Sequence, residues 1–159
     1  MSGAATRRAP GRAASVPGIA PEARILDRAG LFAWGRRLGA EMSVPRVVTI
    51  SGDLGAGKTT LVQAICDGFG VTEPVTSPTF ALVHEYSAPR GVVLHLDLYR
   101  LEDARSLDSI GFDELMVRDA LVLVEWPERA AGRLPVGCVG VTLASADRAS
   151  ERVVSVEAS

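Results

Sequence analysis

The chain has 159 residues, 47% of them hydrophobic and 23% charged, and a net charge of −2. That is enough for one domain with a buried core. It supplies no global positive field of the kind that marks a DNA- or RNA-binding protein, and no apolar run approaches the roughly 20 residues needed to cross a bilayer. Cys66 and Cys138 are two distant thiols, which make neither a disulfide framework nor a metal site; they are expected as packed thiols of a reducing cytoplasm.

In chain order, residues 1–21 are built mainly from Ala, Arg, Pro, Gly and Ser, with no acid before Glu22. Such a segment buries too little apolar area to offset its ordering entropy, so a disordered tail is expected, followed by one domain over 22–159. Setting the three tail arginines aside takes the net charge of the rest from −2 to −5. Leu31, Trp34, Leu38 and Met42 recur at helical spacing, predicting an amphipathic helix over roughly residues 23–42 that covers one sheet face. Pro45 ends the connection, and Arg46-Val47-Val48-Thr49-Ile50-Ser51 reads as a short buried strand.

The next stretch, Gly52-Asp53-Leu54-Gly55-Ala56-Gly57-Lys58-Thr59-Thr60, fits the P-loop pattern of glycine, four residues and Gly-Lys-Thr. Strand precedes it, and a helix follows through Leu61–Cys66 to a stop near Gly68 or Gly70. Glycines at 52, 55 and 57 let the backbone turn tightly and aim N–H groups at a phosphate. The helix start adds unpaired N–H groups and partial positive charge. In this pattern Leu54, Gly55, Ala56, Gly57, Lys58, Thr59 and Thr60 bind nucleotide. Lys58 reaches the β- and γ-phosphates, and the Thr59 hydroxyl takes a place on Mg²⁺. Of 17 basic residues 16 are Arg, and Lys58 is the single Lys. It stands where a compact, flexible ammonium is the usual phosphate ligand.

Residues 71–80, with two prolines and clustered hydroxyls, predict an extended loop. Within it Ser77-Pro78-Thr79-Phe80 is a candidate switch, since loop hydroxyls can sense a γ-phosphate. Residues 81–97 predict a hairpin turning at Ala88-Pro89-Arg90-Gly91, so part of the sheet is antiparallel. Residues 101–119 predict one or two short surface helices broken near Gly111. Ala120-Leu121-Val122-Leu123-Val124-Glu125-Trp126 is a nearly continuous apolar run, as in a strand buried on both faces, and Pro127 closes it. Residues 138–143 and 153–157 predict a late hairpin.

Two acids stand at the carboxyl ends of apolar strands, the edge where open α/β sheets bind ligands. Asp97 ends residues 92–96 and Glu125 ends residues 121–124; either could hold Mg²⁺ and complete the partner to Thr59. His95 shares a sheet face with Asp97 and could contact a phosphate or an acid, or be a hydrogen-bonded structural residue. His84 is expected to be structural.

The loop at 52–60, Ser77-Pro78-Thr79-Phe80, His95-Leu96-Asp97-Leu98-Tyr99-Arg100 and Glu125-Trp126-Pro127, in this order and spacing, resemble the TsaE (YjeE) family of bacterial ATPases. The resemblance runs from about residue 23 to the end. It implies an α/β, P-loop NTPase-like single domain, with a central mixed sheet flanked by helices. It also implies a cytoplasmic ATPase, with ATP and Mg²⁺ as ligands, needed for threonylcarbamoyladenosine in tRNA. Its partners would be the TsaB–TsaD complex, and tRNA only indirectly through that complex. By the same resemblance residues 54–59 cradle the triphosphate, and Thr59 with Glu125 holds the metal. Asp97 orders the attacking water, and Trp126 packs near the nucleotide. Arg148 and Arg152 fall in a part too variable to assign.

A small-molecule kinase would use the same loop but needs an Arg-rich lid, for which Arg129 and Arg133 are the candidates. A GTP switch needs a second lysine in its guanine-reading motif, and this chain has none. A binding module without turnover shares every motif named so far.

Overall fold

A computed structural model describes residues 22–78 and 81–158. Seven strands form one sheet in the order β1-β7-β6-β2-β5-β4-β3. They are β1 (Glu22–Asp27), β2 (Arg46–Gly52), β3 (Val83–Ala88), β4 (Gly91–Asp97), β5 (Ala120–Glu125), β6 (Val139–Ser145) and β7 (Glu151–Ala158). The centre is parallel, β2 lying between β6 and β5, with β4 beyond β5. Both margins are antiparallel: β3 on β4 at one side, β6 on β7 and β7 on β1 at the other. The sheet is therefore mixed, as the hairpin signals require.

The helices α1 (Arg28–Glu41) and α2 (Lys58–Phe69) cover one face. Leu31, Trp34, Leu38 and Met42 from α1 and its end meet Leu61, Ile65 and Phe69 of α2 over Val48, Ile50, Leu121 and Leu123 of the sheet. The short helices α3 (Ala104–Ser109) and α4 (Phe112–Met116) cover the opposite face. There Leu107, Phe112 and Met116 pack on Leu94, Leu96, Val122 and Val124. They contribute to a second core as well as to the surface. Every residue of β5 is buried, which explains its unbroken apolar run.

One expectation is overturned. The helix predicted over residues 23–42 begins only at Arg28, and residues 22–27 are an edge strand paired with β7. Two facts select this outcome, one local and one tertiary. Asp27 adopts an extended backbone and its Oδ1 accepts the Gly30 N–H at 2.7 Å, a side-chain cap that fixes where the helix starts. Pairing with β7 then satisfies the backbone upstream of the cap, a tertiary gain invisible to local periodicity. The Trp34 indole donates to Glu22 Oε1 at 2.9 Å and ties α1 to this strand. The disordered tail expected at 1–21 lies outside the described residues.

The pairing of α1 with α2 is close because it is made across glycines. A Cβ at Gly39 would stand 2.1 Å from the Ile65 carbonyl oxygen, and one at Gly68 only 1.9 Å from that of Arg36. Beyond the end of α1, Arg90 from the β3–β4 turn donates to the Gly39 carbonyl at 3.1 Å and to that of Met42, satisfying carbonyls the helix leaves open. Gly→Ala inside a helix ordinarily stabilises by about 0.5–1 kcal/mol. At Gly39 we expect the opposite sign, a loss of about 1–3 kcal/mol by overpacking. Chemical denaturation of Gly39→Ala measures it, and a stabilised variant would contradict this close packing.

Candidate nucleotide site

The loop between β2 and α2 closes on itself through the residue that ends it. Gly52, Gly55 and Gly57 have φ of 154°, 79° and 101°. At Gly57 the positive φ forms the start of α2, where no side chain caps the first turn. The N–H groups there are left for a ligand. Lys58, 6% exposed, folds its side chain back so that Nζ donates to the carbonyls of Gly52 and Asp53, both at 2.7 Å. The same ammonium lies 4.2 Å from the centre of the Trp126 ring. Burial pushes the amine below its ordinary pKa, while the Glu125 and Asp97 carboxylates pull it back.

A cleft of about 360 Å³ opens over this lysine. Leu54, Gly55, Gly57, Lys58, Thr59 and Thr60 form one wall, and Ser77, Asp97, Tyr99, Glu125 and Trp126 the other. The sequence-derived residues thus converge on one space, with Ala56 buried behind the loop. Topology makes this happen: β4 and β5 are parallel neighbours in a register that sets Asp97 opposite Glu125 at their carboxyl ends. There they border the loop leaving β2.

The two acids have different surroundings. Glu125 is 2% exposed, and its Oε1 is bound by Nε2 of the fully buried His95 at 2.9 Å. Asp97 is half-buried and tied to loops. Its Oδ1 accepts the Tyr99 N–H at 3.0 Å and its Oδ2 the Ser77 hydroxyl at 3.3 Å. The loop bearing Ser77 is itself held. Gln63 donates to the Val75 carbonyl, and the Tyr86 hydroxyl bonds both backbone groups of Thr76. Thr79 and Phe80, the rest of the candidate switch, lie outside the described residues. His84 contacts the Tyr86 hydroxyl at 3.2 Å and takes no part in the cleft.

Trp126 follows Glu125 with φ 58°, at the start of the 3₁₀ turn Pro127–Ala130. For a bulky residue this left-handed conformation costs about 1–3 kcal/mol, and such outliers gather at functional sites. Its N–H donates to the Ile50 carbonyl, and its ring packs 4.9 Å from that of Tyr99.

A second cavity, about 430 Å³, lies against the loop and shares Gly55, Gly57 and Thr60 with the first. Its remaining walls include Asp27, Arg28, Leu31, Ala149, Ser150 and Arg152, with Ala56. Arg152 supports the loop directly, its Nε donating to the Ala56 carbonyl at 3.2 Å. Arg148 instead stays at the surface, 3.6 Å from Glu151. Asp27 and Arg28, at the junction of β1 and α1, are not marked by sequence because periodicity alone does not show where the strand gives way to the helix. The cysteines are buried as expected, and burial pushes the Cys66 thiol up to about 12.

This chain matches the family described as Threonylcarbamoyl adenosine biosynthesis protein TsaE over residues 26–154. It belongs to the TsaE family. The TsaE protein of Nostoc sp. is 37% identical over 131 residues, which cover 80% of each chain. That of Mycobacterium bovis is 36% identical over 166 aligned positions, covering 98% of this chain and 96% of the relative. So wide an alignment also takes in most of the N-terminal segment. The crystal structure of Bacillus subtilis YdiB superposes with a TM-score of 0.70 at 24% identity, covering 89% of this chain and 90% of that one. The fold is therefore the P-loop NTPase-like one of the TsaE family, whose relatives are named for tRNA threonylcarbamoyladenosine biosynthesis.

The contact between Lys58 and Trp126 gives this TsaE chain an internal reporter. An anion that draws the ammonium off the Gly52 and Asp53 carbonyls also changes the field on the indole. In Trp34→Phe, which leaves Trp126 as the single indole, ATP should change Trp126 emission. An unaltered spectrum at saturating ATP would mean that Lys58 does not engage it.

Proposed function

We propose that this chain is the ATP-binding and ATP-hydrolysing component of the bacterial tRNA threonylcarbamoyladenosine machinery, acting with the TsaB–TsaD complex in the cytoplasm. One observation carries the reading: Lys58, Thr59 and the uncapped start of α2 face the same cleft as Glu125 and Asp97. A triphosphate needs such a set, with a flexible cation and backbone N–H groups on one side and acids to organise metal and water on the other.

Among the described residues no group of three or more His, Cys, Asp or Glu side chains is arranged to hold a metal ion. The donors in the cleft fit Mg²⁺ in another way. The Thr59 hydroxyl and the Glu125 carboxylate are hard oxygens, and an ion bound by one or two protein groups fills its shell with phosphate oxygens and water. Thr59 and Glu125 would hold it, and when bound it supplies charge neutralisation at the β- and γ-phosphates. Glu125 suits this place because His95 fixes one oxygen and leaves the other to the cleft. Asp97, more open and bound through a loop hydroxyl, suits the ordering of water for attack. Lys58 exchanges its two carbonyl partners for phosphate oxygens, and the loop amides take the rest. The second cavity, on the far side of Gly55 and Gly57, offers space for the nucleoside end.

The kinase alternative draws no support from its two lid candidates. Arg133 is bound to Asp108 at 2.7 Å and to Asp113 at 2.9 Å, and Arg129 donates to the Leu101 carbonyl. Both are committed to structure.

Lys58→Ala should weaken ATP binding by about 3 kcal/mol, or about 100-fold, since a charged donor is lost. Calorimetry that shows retained wild-type affinity would contradict the role of Lys58. Glu125→Ala should keep much of the nucleotide affinity and lose Mg²⁺-dependent hydrolysis by about 100-fold or more. Adding the TsaB–TsaD pair to the wild-type chain should strongly stimulate phosphate release. Transfer of the γ-phosphate to a small-molecule acceptor would favour the kinase instead.

A further inference from the structure

The fully buried His95 is not among the residues that line the cleft, and its geometry is not that of a residue chosen for packing. It stands on β4 opposite Leu123 of β5, with Val93 two residues before it on the same face, and both neighbours are fully buried. A leucine or valine would fill such a position without any polar atom. The imidazole brings two, and Nδ1 has no hydrogen-bond partner among the described residues. Leaving a buried polar nitrogen unpaired is unfavourable. What position 95 gains is the bond to Glu125 Oε1 at 2.9 Å, made with both side chains nearly shut from solvent. A carboxylate only accepts, so Nε2 carries the hydrogen of this bond.

The register explains why this histidine can reach. Asp97 lies opposite Glu125, so the residue two positions earlier on β4 meets the Glu125 side chain diagonally. Glu125 has three side-chain torsions, and a bond at one oxygen holds them while the other oxygen remains for the cleft. We infer that His95 is a positioning residue, holding Glu125 in the orientation that serves the metal-bound nucleotide. The inference rests on the nucleotide reading given above. It touches neither nucleotide nor metal itself, and acts through the carboxylate.

The test uses three variants of the full chain. His95→Leu fills the space without a donor, His95→Asn carries an amide too short to reach Glu125, and His95→Gln places an N–H near the original Nε2. Binding of a fluorescent ATP analogue is measured first in EDTA and then against rising Mg²⁺. In His95→Leu and His95→Asn we expect the Mg²⁺ concentration for half-maximal effect to rise about tenfold or more, with metal-free affinity within about twofold of wild type, and His95→Gln to recover most of the loss. If Leu does not fold, the contrast of Asn with Gln carries the same comparison. Unchanged Mg²⁺ dependence in Asn, or Gln as impaired as Asn, would overturn the positioning role while leaving the nucleotide site in place. A wild-type chain that binds no ATP with or without Mg²⁺ would overturn the nucleotide reading and this inference together.

Discussion

A buried ammonium is the constraint on which this site turns. Taking a lysine amine out of water is costly unless its hydrogens and its charge are answered locally. Here they are answered by parts that have no other common purpose. Two carbonyls of the glycine-rich loop accept from it, an indole face covers it, and two carboxylates from neighbouring strands oppose its charge. These partners come from three stretches of chain, the loop after β2 and the ends of β4 and β5, so the amine is satisfied only when those strands lie in register. Removing the loop carbonyls from this arrangement requires a ligand that gives the ammonium something better. A phosphate does so, being charged and rich in acceptors.

Much of this arrangement can be read in the chain itself, for physical reasons. The loop at 52–60 declares itself because three glycines and a Gly-Lys-Thr ending meet one steric and electrostatic demand. The run at 120–125 does so because a strand flanked by parallel neighbours has no polar face. The acids at 97 and 125 follow from those strands, since the carboxyl edge of a parallel sheet is where its loops gather. What escapes reading depends on contacts distant in sequence. Residues 22–27 are drawn into the helix because the spacing of Leu31, Trp34, Leu38 and Met42 says nothing of where the helix begins. Only pairing with residues 151–156 makes them a strand. The cavity beside Arg152 is hidden for the same reason, as its walls come from opposite ends of the chain. His95 could be placed on the right face, but its choice of Glu125 over a phosphate depends on the register between β4 and β5.

The two acids, so alike in sequence, are separated by their surroundings. Glu125 is clamped by a rigid ring inside the sheet, and its position is decided when the core packs. Asp97 is held by a backbone N–H and by the hydroxyl of Ser77, on a loop anchored through Gln63 and Tyr86. Its position therefore follows the loop. A fixed carboxylate suits a metal, which tolerates little misplacement. A carboxylate bonded to the hydroxyl of a neighbouring loop is placed by that loop as well as by its own strand.

The glycine-rich loop is thus gripped from two directions. Lys58 pulls its first carbonyls toward the acids, while Arg152 holds the Ala56 carbonyl from the side of the β6–β7 hairpin. The two grips differ in permanence. Lys58 spends its hydrogens on groups that a ligand can replace. Arg152 is further bonded to the Ala149 and Glu151 carbonyls and has no reason to let go. A loop free at both ends would have to be ordered by its ligand, at an entropic cost charged to affinity. Ala56 is held twice, its carbonyl by Arg152 and its N–H by the Asp53 carbonyl at 3.0 Å, which leaves the Lys58 bonds to Gly52 and Asp53 as the ones open to exchange. The contacts that a phosphate would replace then reduce to those of one lysine side chain, Lys58, with the first two carbonyls of the loop.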